Sequence, residues 1–141
     1  MITLLSMHTG CRLAELTGLR RTDIVDGNDG LMLRIQVHKG RALKTSSSQR
    51  IVPLTPAIEM ALRGWLESTN GDLVVDLDPD QFSKRFGRLL RRLGMPRELV
   101  FHSWRHGVAE RLRAAGTSAE IIAAILGHTD GSVTGRYAKR H

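Results

Sequence analysis

The amino-acid sequence predicts a mainly α chain with a small three-stranded antiparallel β-sheet, an α+β fold. Two observations carry this. Most apolar residues recur at helical spacing between recognisable caps and glycine stops. The alternation typical of strands is confined to short stretches that glycine, proline and serine clusters separate.

Ile2–Met7 reads as the tail of a helix, broken at His8-Thr9-Gly10. Arg12–Leu19 reads as a short helix with Leu13, Leu16 and Leu19 in phase. Asp26-Gly27-Asn28-Asp29-Gly30 is a turn cluster, and Leu31–Val37 alternates as a strand. Residues 38–49 are polar, with a flexible tip expected near 44–48, before the strand Arg50–Leu54, where Pro53 marks an end or a sheet edge. Thr55-Pro56 opens a helix to about Ser68, with Ile58, Ala61, Leu62 and Leu66 inward. Leu73–Asp78 is a further short extended piece.

Asp78-Pro79 opens another helix, to about Leu93, that Gly94 closes. One side is basic (Lys84, Arg85, Arg88, Arg91, Arg92) and the other apolar (Phe82, Phe86, Leu89, Leu90, Leu93). Two last helices are expected at about 102–115, ended by Gly116, and 118–126, capped by Thr117 or Ser118 and ended by Gly127.

At 141 residues the chain is one domain, long enough to bury a core. No apolar run approaches a membrane helix, and no signal peptide is visible. A lone Cys11 forms no intrachain disulfide. The net charge of +7 is unevenly placed: residues 1–83 carry nine Lys/Arg against ten Asp/Glu, residues 84–141 twelve against four. A one-sided basic excess reads as a surface for a polyanion, nucleic acid before membrane.

The basic segment also holds His102 and Arg105 in H-S-W-R-H, His128 in L-G-H, and Tyr137; Arg12 lies in T-G-C-R-L-A-E-L. Three residues apart, His102 and Arg105 share a helical face. Tyr137, nine residues after His128, would point away from it on one straight helix, so Thr129-Asp130-Gly131 is expected to break the helix. Two guanidiniums can clamp the non-bridging oxygens of a phosphodiester as planar, permanently charged forks. A phenol with cationic neighbours can act as nucleophile, and a lysine can protonate the departing alkoxide. Such an exchange conserves phosphodiester bonds, so no nucleotide is expected, and two guanidiniums, two imidazoles and a phenol are the set that a metal-free attack would use.

T-G-C-R-L-A-E-L, L-K-T-S-S-S-Q-R-I-V-P-L, H-S-W-R-H and L-G-H-T-D-G-S-V-T-G-R-Y, in this order, resemble the catalytic domain of the tyrosine recombinases, the phage integrase family. The resemblance spans residues 9–137 and implies that family's mostly helical catalytic fold. It implies that Arg12 and Arg105 clamp phosphate and that His102 and His128 assist. Tyr137 would form a 3′-phosphotyrosine and free a 5′-hydroxyl. Lys44, six residues before Arg50, is the expected general acid, with Lys39 the runner-up. Glu15 is expected to buttress Arg12. Lys39, Arg41, Arg50, Lys84 and Arg136 are expected on the DNA.

Partners by resemblance are double-stranded DNA and, in a synapse, further copies of the chain up to a tetramer; the expected location is cytoplasmic, at the nucleoid. Against the family pattern, the single catalytic domain is expected to be truncated at both ends, without an N-terminal DNA-clamping domain. Gly107 stands where a hydroxyl residue is common. Two other readings share these residues: relaxation in the manner of a type IB topoisomerase, and a DNA-binding remnant that does not cut.

Several residues are expected to be ordinary. His102 and His106 have a zinc-compatible spacing but no nearby third ligand in the sequence. His106 is expected to pack or hydrogen-bond beside Arg105, Trp104 to join the core, Cys11 to be small and buried, and His8 and His38 to have no special role.

Overall fold

The computed structural model describes residues 1–38 and 48–128. Among the described residues six α-helices run in the order α1 (Ile2–Thr9), α2 (Leu13–Thr17), α3 (Pro56–Ser68), α4 (Pro79–Arg92), α5 (Ser103–Ala114) and α6 (Ala119–Leu126). Between α2 and α3 lie three strands, β1 (Ile24–Gly27), β2 (Gly30–Ile35) and β3 (Arg50–Pro53). They form one antiparallel sheet with β2 central. The mainly α fold with a small three-stranded sheet is therefore the one expected, but one strand lies elsewhere. Ile24–Gly27, half of it read as turn, pairs with β2 through a tight hairpin, Ile24 opposite Leu33 and Gly27 opposite Gly30. The extended piece at Leu73–Asp78 contributes only an isolated bridge, Leu73 to Arg20.

Alternation decides which face of the sheet is buried. Leu31, Leu33 and Ile35 of β2 point inward with Val52 of β3, while Arg34 and Ile51 face out. This face shares one core with Ile58 and Leu62 of α3, Leu5 of α1, Leu16 of α2 and Leu19 just after it. Thr55 and Pro56 start α3 as expected, and Glu59 ties it to the hairpin by accepting the Leu31 N–H at 3.0 Å. Arg21 caps the other end, donating to the Leu66 carbonyl at 2.9 Å and to the Thr69 hydroxyl at 2.8 Å. Ala61 and Leu66 are only half-buried.

A second, smaller apolar cluster joins α5 to α6: Val108, Ala109, Ile122 and Leu126, with Leu112 beside it. The Ser118 side chain caps α6, and Gly127 ends it in the left-handed region at φ 67°.

Helix α4 leaves much of its apolar side uncovered. It has the predicted cap, Asp78 accepting from the Gln81 N–H at 2.7 Å, but none of its residues is buried. Phe82 and Phe86 each stand edge-on to Phe101 with ring centroids 5.4 Å apart. Leu89 and Leu93 stand exposed. Periodicity reports that a helix has an apolar face, not that a partner covers it. Among the described residues no helix is long and apolar enough to cross a membrane.

Candidate functional site

The turn after α1 builds the first wall of the site. Gly10 adopts φ 68°, and a Cβ there would come within 2.5 Å of Leu126 Cδ2 and 3.3 Å of Val108 Cβ. A side chain at this position would therefore be strained by its backbone and would also hold α5 and α6 away. The turn is fixed on both sides: Thr9 Oγ1 accepts the Cys11 N–H at 3.2 Å, and Ser6 donates to the Cys11 carbonyl at 3.1 Å. Arg12 then takes the N-cap position of α2, its guanidinium partly exposed.

Glu15, one turn on, is buried to 3% exposure. Its Oε1 accepts from Arg12 Nη1 at 3.1 Å and Arg50 Nη1 at 2.8 Å; its Oε2 accepts from the Arg12 N–H at 2.8 Å and Arg50 Nη2 at 2.9 Å. Burial alone would raise the Glu15 pKa. The Arg50 fork and the Arg12 N–H outweigh that and hold it below the usual glutamate range. The sequence pairs Glu15 with Arg12; in the molecule that carboxylate is buried and shared with a second arginine, Arg50.

Arg105 lies behind them, 3% exposed. Its Nη1 donates to the Gly10 carbonyl at 2.9 Å and its Nη2 to the Leu126 carbonyl. Burial, together with the positive charges of Arg12 and Arg50, lowers its pKa to about 10. Arg12, Arg50 and Arg105 are thus three guanidiniums around one carboxylate. Cys11 supplies no compensating charge, because burial pushes its thiol pKa up.

His102 is the N-cap residue of α5 rather than a residue within it, and it is exposed while Arg105 turns inward. Its ring meets that of His106 edge-on, centroids 5.2 Å apart. With Arg12 it lines an open pocket of about 180 Å³ whose other walls include Ser83 of α4 and Val100 and Phe101 before α5. His128 follows the left-handed Gly127 and is exposed; its N–H donates to the Ala123 carbonyl at 3.0 Å. It lies two residues beyond the carbonyl that holds Arg105.

Lys84 is exposed on α4, and Trp104 is half-buried with an indole N–H that finds no acceptor among the described residues. Lys39, Arg41, Lys44, Arg136 and Tyr137 lie outside the described residues, as does most of the tip expected at 44–48; Ser48, its last residue, is buried.

Two residues differ from the sequence reading. Arg50, expected on DNA, has a side chain only 6% exposed, with every N–H directed at an acceptor within the protein, so it offers no donor to a ligand. His38, expected to be ordinary, points Nε2 at both oxygens of fully buried Asp23, at 2.7 and 2.8 Å. The R-x-V-P-L motif was the one sequence signal at Arg50; no local pattern marks its acceptors, which lie at residues 11, 15, 48 and 125.

Comparison with known proteins follows this geometry. A XerC tyrosine recombinase of Rhodospirillum centenum is 29% identical, over 91% of this chain and 38% of its own length. The XerA tyrosine recombinase of Thermococcus kodakarensis is 32% identical, over 99% of this chain and 50% of its own. The chain thus spans half or less of these curated relatives. Among solved structures, the Tn1549 transposon integrase bound to a circular intermediate DNA superposes with a TM-score of 0.76 at 19% identity, covering 91% of this chain and 50% of that one. A XerA recombinase crystal structure superposes with a TM-score of 0.70 at 23% identity, covering 89% and 47%. These likenesses establish the fold. The model of the phage integrase family matches residues 1–141, and the chain belongs to that family.

Proposed function

We propose that this chain is the strand-exchange module of a site-specific DNA recombinase, cleaving and rejoining DNA through a covalent 3′-phosphotyrosyl intermediate. The observation that carries the reading is uncompensated positive charge: three guanidiniums face one carboxylate among the described residues, beside an open pocket. A half-buried excess of cations is stabilised by an anion, and a phosphodiester presents one. Arg50 and Glu15 neutralise each other, which leaves Arg12 and Arg105 for the phosphate. Of five N–H groups, Arg105 commits two and Arg12 one among the described residues.

In this reading the Tyr137 phenolate oxygen attacks phosphorus, the bond to the 5′-oxygen breaks with its electron pair, and Lys44 gives that oxygen a proton. Arg12 and Arg105 hold the non-bridging oxygens as charge builds on them, assisted by His102 and His128. Rejoining reverses the steps, with a 5′-hydroxyl displacing the tyrosine. The partner is double-stranded DNA, consistent with the DNA bound to the Tn1549 integrase. Lys84 and the other exposed cations of α4 would follow the phosphate backbone, and Lys39, Arg41 and Arg136 would add further contacts. Further copies of the chain would meet it in a synapse.

Relaxation of supercoiled plasmid in excess EDTA, quenched with detergent, tests the reaction. Wild type is expected to relax DNA and to leave a protein–DNA adduct, and Tyr137→Phe to do neither. DNA binding by folded wild type without relaxation or adduct would instead mark a binding module that does not cut.

A further inference from the structure

Arg50 sits where three motif-bearing segments meet. Its Nε donates to the Ile125 carbonyl at 2.6 Å, reaching the helix that precedes His128. Nη1 donates to Glu15 Oε1 and to the Ser48 carbonyl, each at 2.8 Å. Nη2 donates to Glu15 Oε2 at 2.9 Å and points at Cys11 Sγ, 3.6 Å away. A guanidinium has five N–H groups, and these contacts use all of them. Glu15 is equally full, since two bonds from Arg50 and two from Arg12 occupy its four acceptor positions. The packing leaves little slack: a Cβ on Gly127 would lie 2.9 Å from Arg50 Nη1.

This balance sets what Arg12 can do. Its guanidinium holds Glu15 by a single bond, the longest of the four at 3.1 Å. Were Arg50 lost, a buried carboxylate would face, among the described residues, one neighbouring side-chain cation within hydrogen-bond reach, Arg12, and would take it as a full partner. We infer that Arg50 is a positioning residue: by saturating Glu15 it keeps Arg12 available to the pocket, and it holds the Ser48 and Ile125 segments in register with that arginine. The inference deepens the proposed function, because it rests on Arg12 serving a bound phosphate.

The experiment measures Arg12 directly as well as through activity. In the full chain, the rate at which phenylglyoxal labels Arg12, read by mass spectrometry, reports how far Glu15 has captured it. Strand cleavage is followed on a nicked duplex that traps the covalent adduct, and thermal melts establish that each variant is folded. Arg50→Met is expected to slow Arg12 labelling and to lower the cleavage rate by about 100-fold, the scale of a small misplacement of a positioning group. Adding Glu15→Gln to Arg50→Met removes the captor, so labelling should return and at least about tenfold of the rate with it. Arg50→Lys, which keeps charge but not the fork, should fall between wild type and Arg50→Met, and together with the double variant it carries the test if Arg50→Met does not fold.

A purely structural strut would predict otherwise: Arg12 labelled at the wild-type rate in the folded variants, and a double variant no better than the single. Either result overturns the inference. An inactive wild type whose Arg12 labelling still shifts as described supports the role of Arg50 and counts against the recombinase reading instead.

Discussion

Among the described residues two carboxylates are buried, Glu15 and Asp23, and they are satisfied differently. Glu15, beneath the motif arginines, takes two permanently charged guanidiniums and one backbone N–H. Asp23, at the foot of the sheet, takes the Arg20 N–H at 2.9 Å, the Gln36 amide at 2.7 Å and His38. Burial pushes both toward the protonated form, and in both the donors prevail and hold the pKa below the ordinary value. The difference lies in what remains when a carboxylate is removed. At Glu15 that is a buried cation; at Asp23 it is chiefly a set of unpaired donors. A buried cation is the costlier orphan, so the cluster around Glu15 should be the more fragile place.

The largest expected effect follows. Glu15→Gln leaves the Arg50 charge buried without a counter-ion and should destabilise the fold by about 3–5 kcal/mol, read as a shift of the urea midpoint at unchanged slope. Glu15→Gln together with Arg50→Met should recover much of this, because an apolar or neutral replacement of both partners carries no orphaned charge. A double variant no more stable than Glu15→Gln would show that the seam is held by packing rather than by charge pairing.

Next in size is the other carboxylate. Asp23→Ala strands the Arg20 N–H, Gln36 and His38 and should cost about 1–3 kcal/mol. The pH dependence sharpens the contrast. Both folded-state pKa values lie below the ordinary 4.5 and 3.8 for Glu15 and Asp23. Each pair's stabilisation is therefore fully present above those values and is lost as pH falls through the lower folded ones. Asp23→Ala should flatten the acid limb of the stability curve relative to wild type, and Glu15→Gln should flatten it independently. An acid limb unchanged in both variants would remove these two carboxylates from the account.

What could be read from the sequence separates along the same line. Arg12, Glu15, His102 and Arg105 were legible because short-range spacing and turn chemistry mark them: T-G-C-R needs its glycine at φ 68°, and H-S-W-R opens a helix. The role of Arg50 was not legible. Its strongest acceptors are 35 and 75 residues away, and an arginine at a strand start in a basic chain resembles a surface cation. His38 was passed over for the same reason, its partner lying 15 residues earlier across a hairpin. Strand β1 was missed because four residues ending in Asp26-Gly27 look like turn until β2 pairs with them. The apolar side of α4 was legible as a pattern, but its exposure was not, because the periodicity of a helix says nothing of what stands opposite.

The smallest effect tests whether the Asp23 anchor matters beyond the fold. His38 is the last described residue before the stretch that carries Lys39 and Lys44, and it is 15% exposed. His38→Ala removes one donor while Arg20 and Gln36 still satisfy Asp23, so stability should fall by only about 0.5–1.5 kcal/mol. If Lys44 delivers the proton to the departing 5′-oxygen, loosening the start of its segment should slow formation of the covalent adduct without weakening DNA binding. Placing a 5′-thiol leaving group on the substrate distinguishes the causes, because a thiolate departs without a proton and a defect in proton delivery then disappears. A His38→Ala defect that persists with the thiol substrate would place the fault in the arginine seam, and the two carboxylate sites would then be coupled rather than separate.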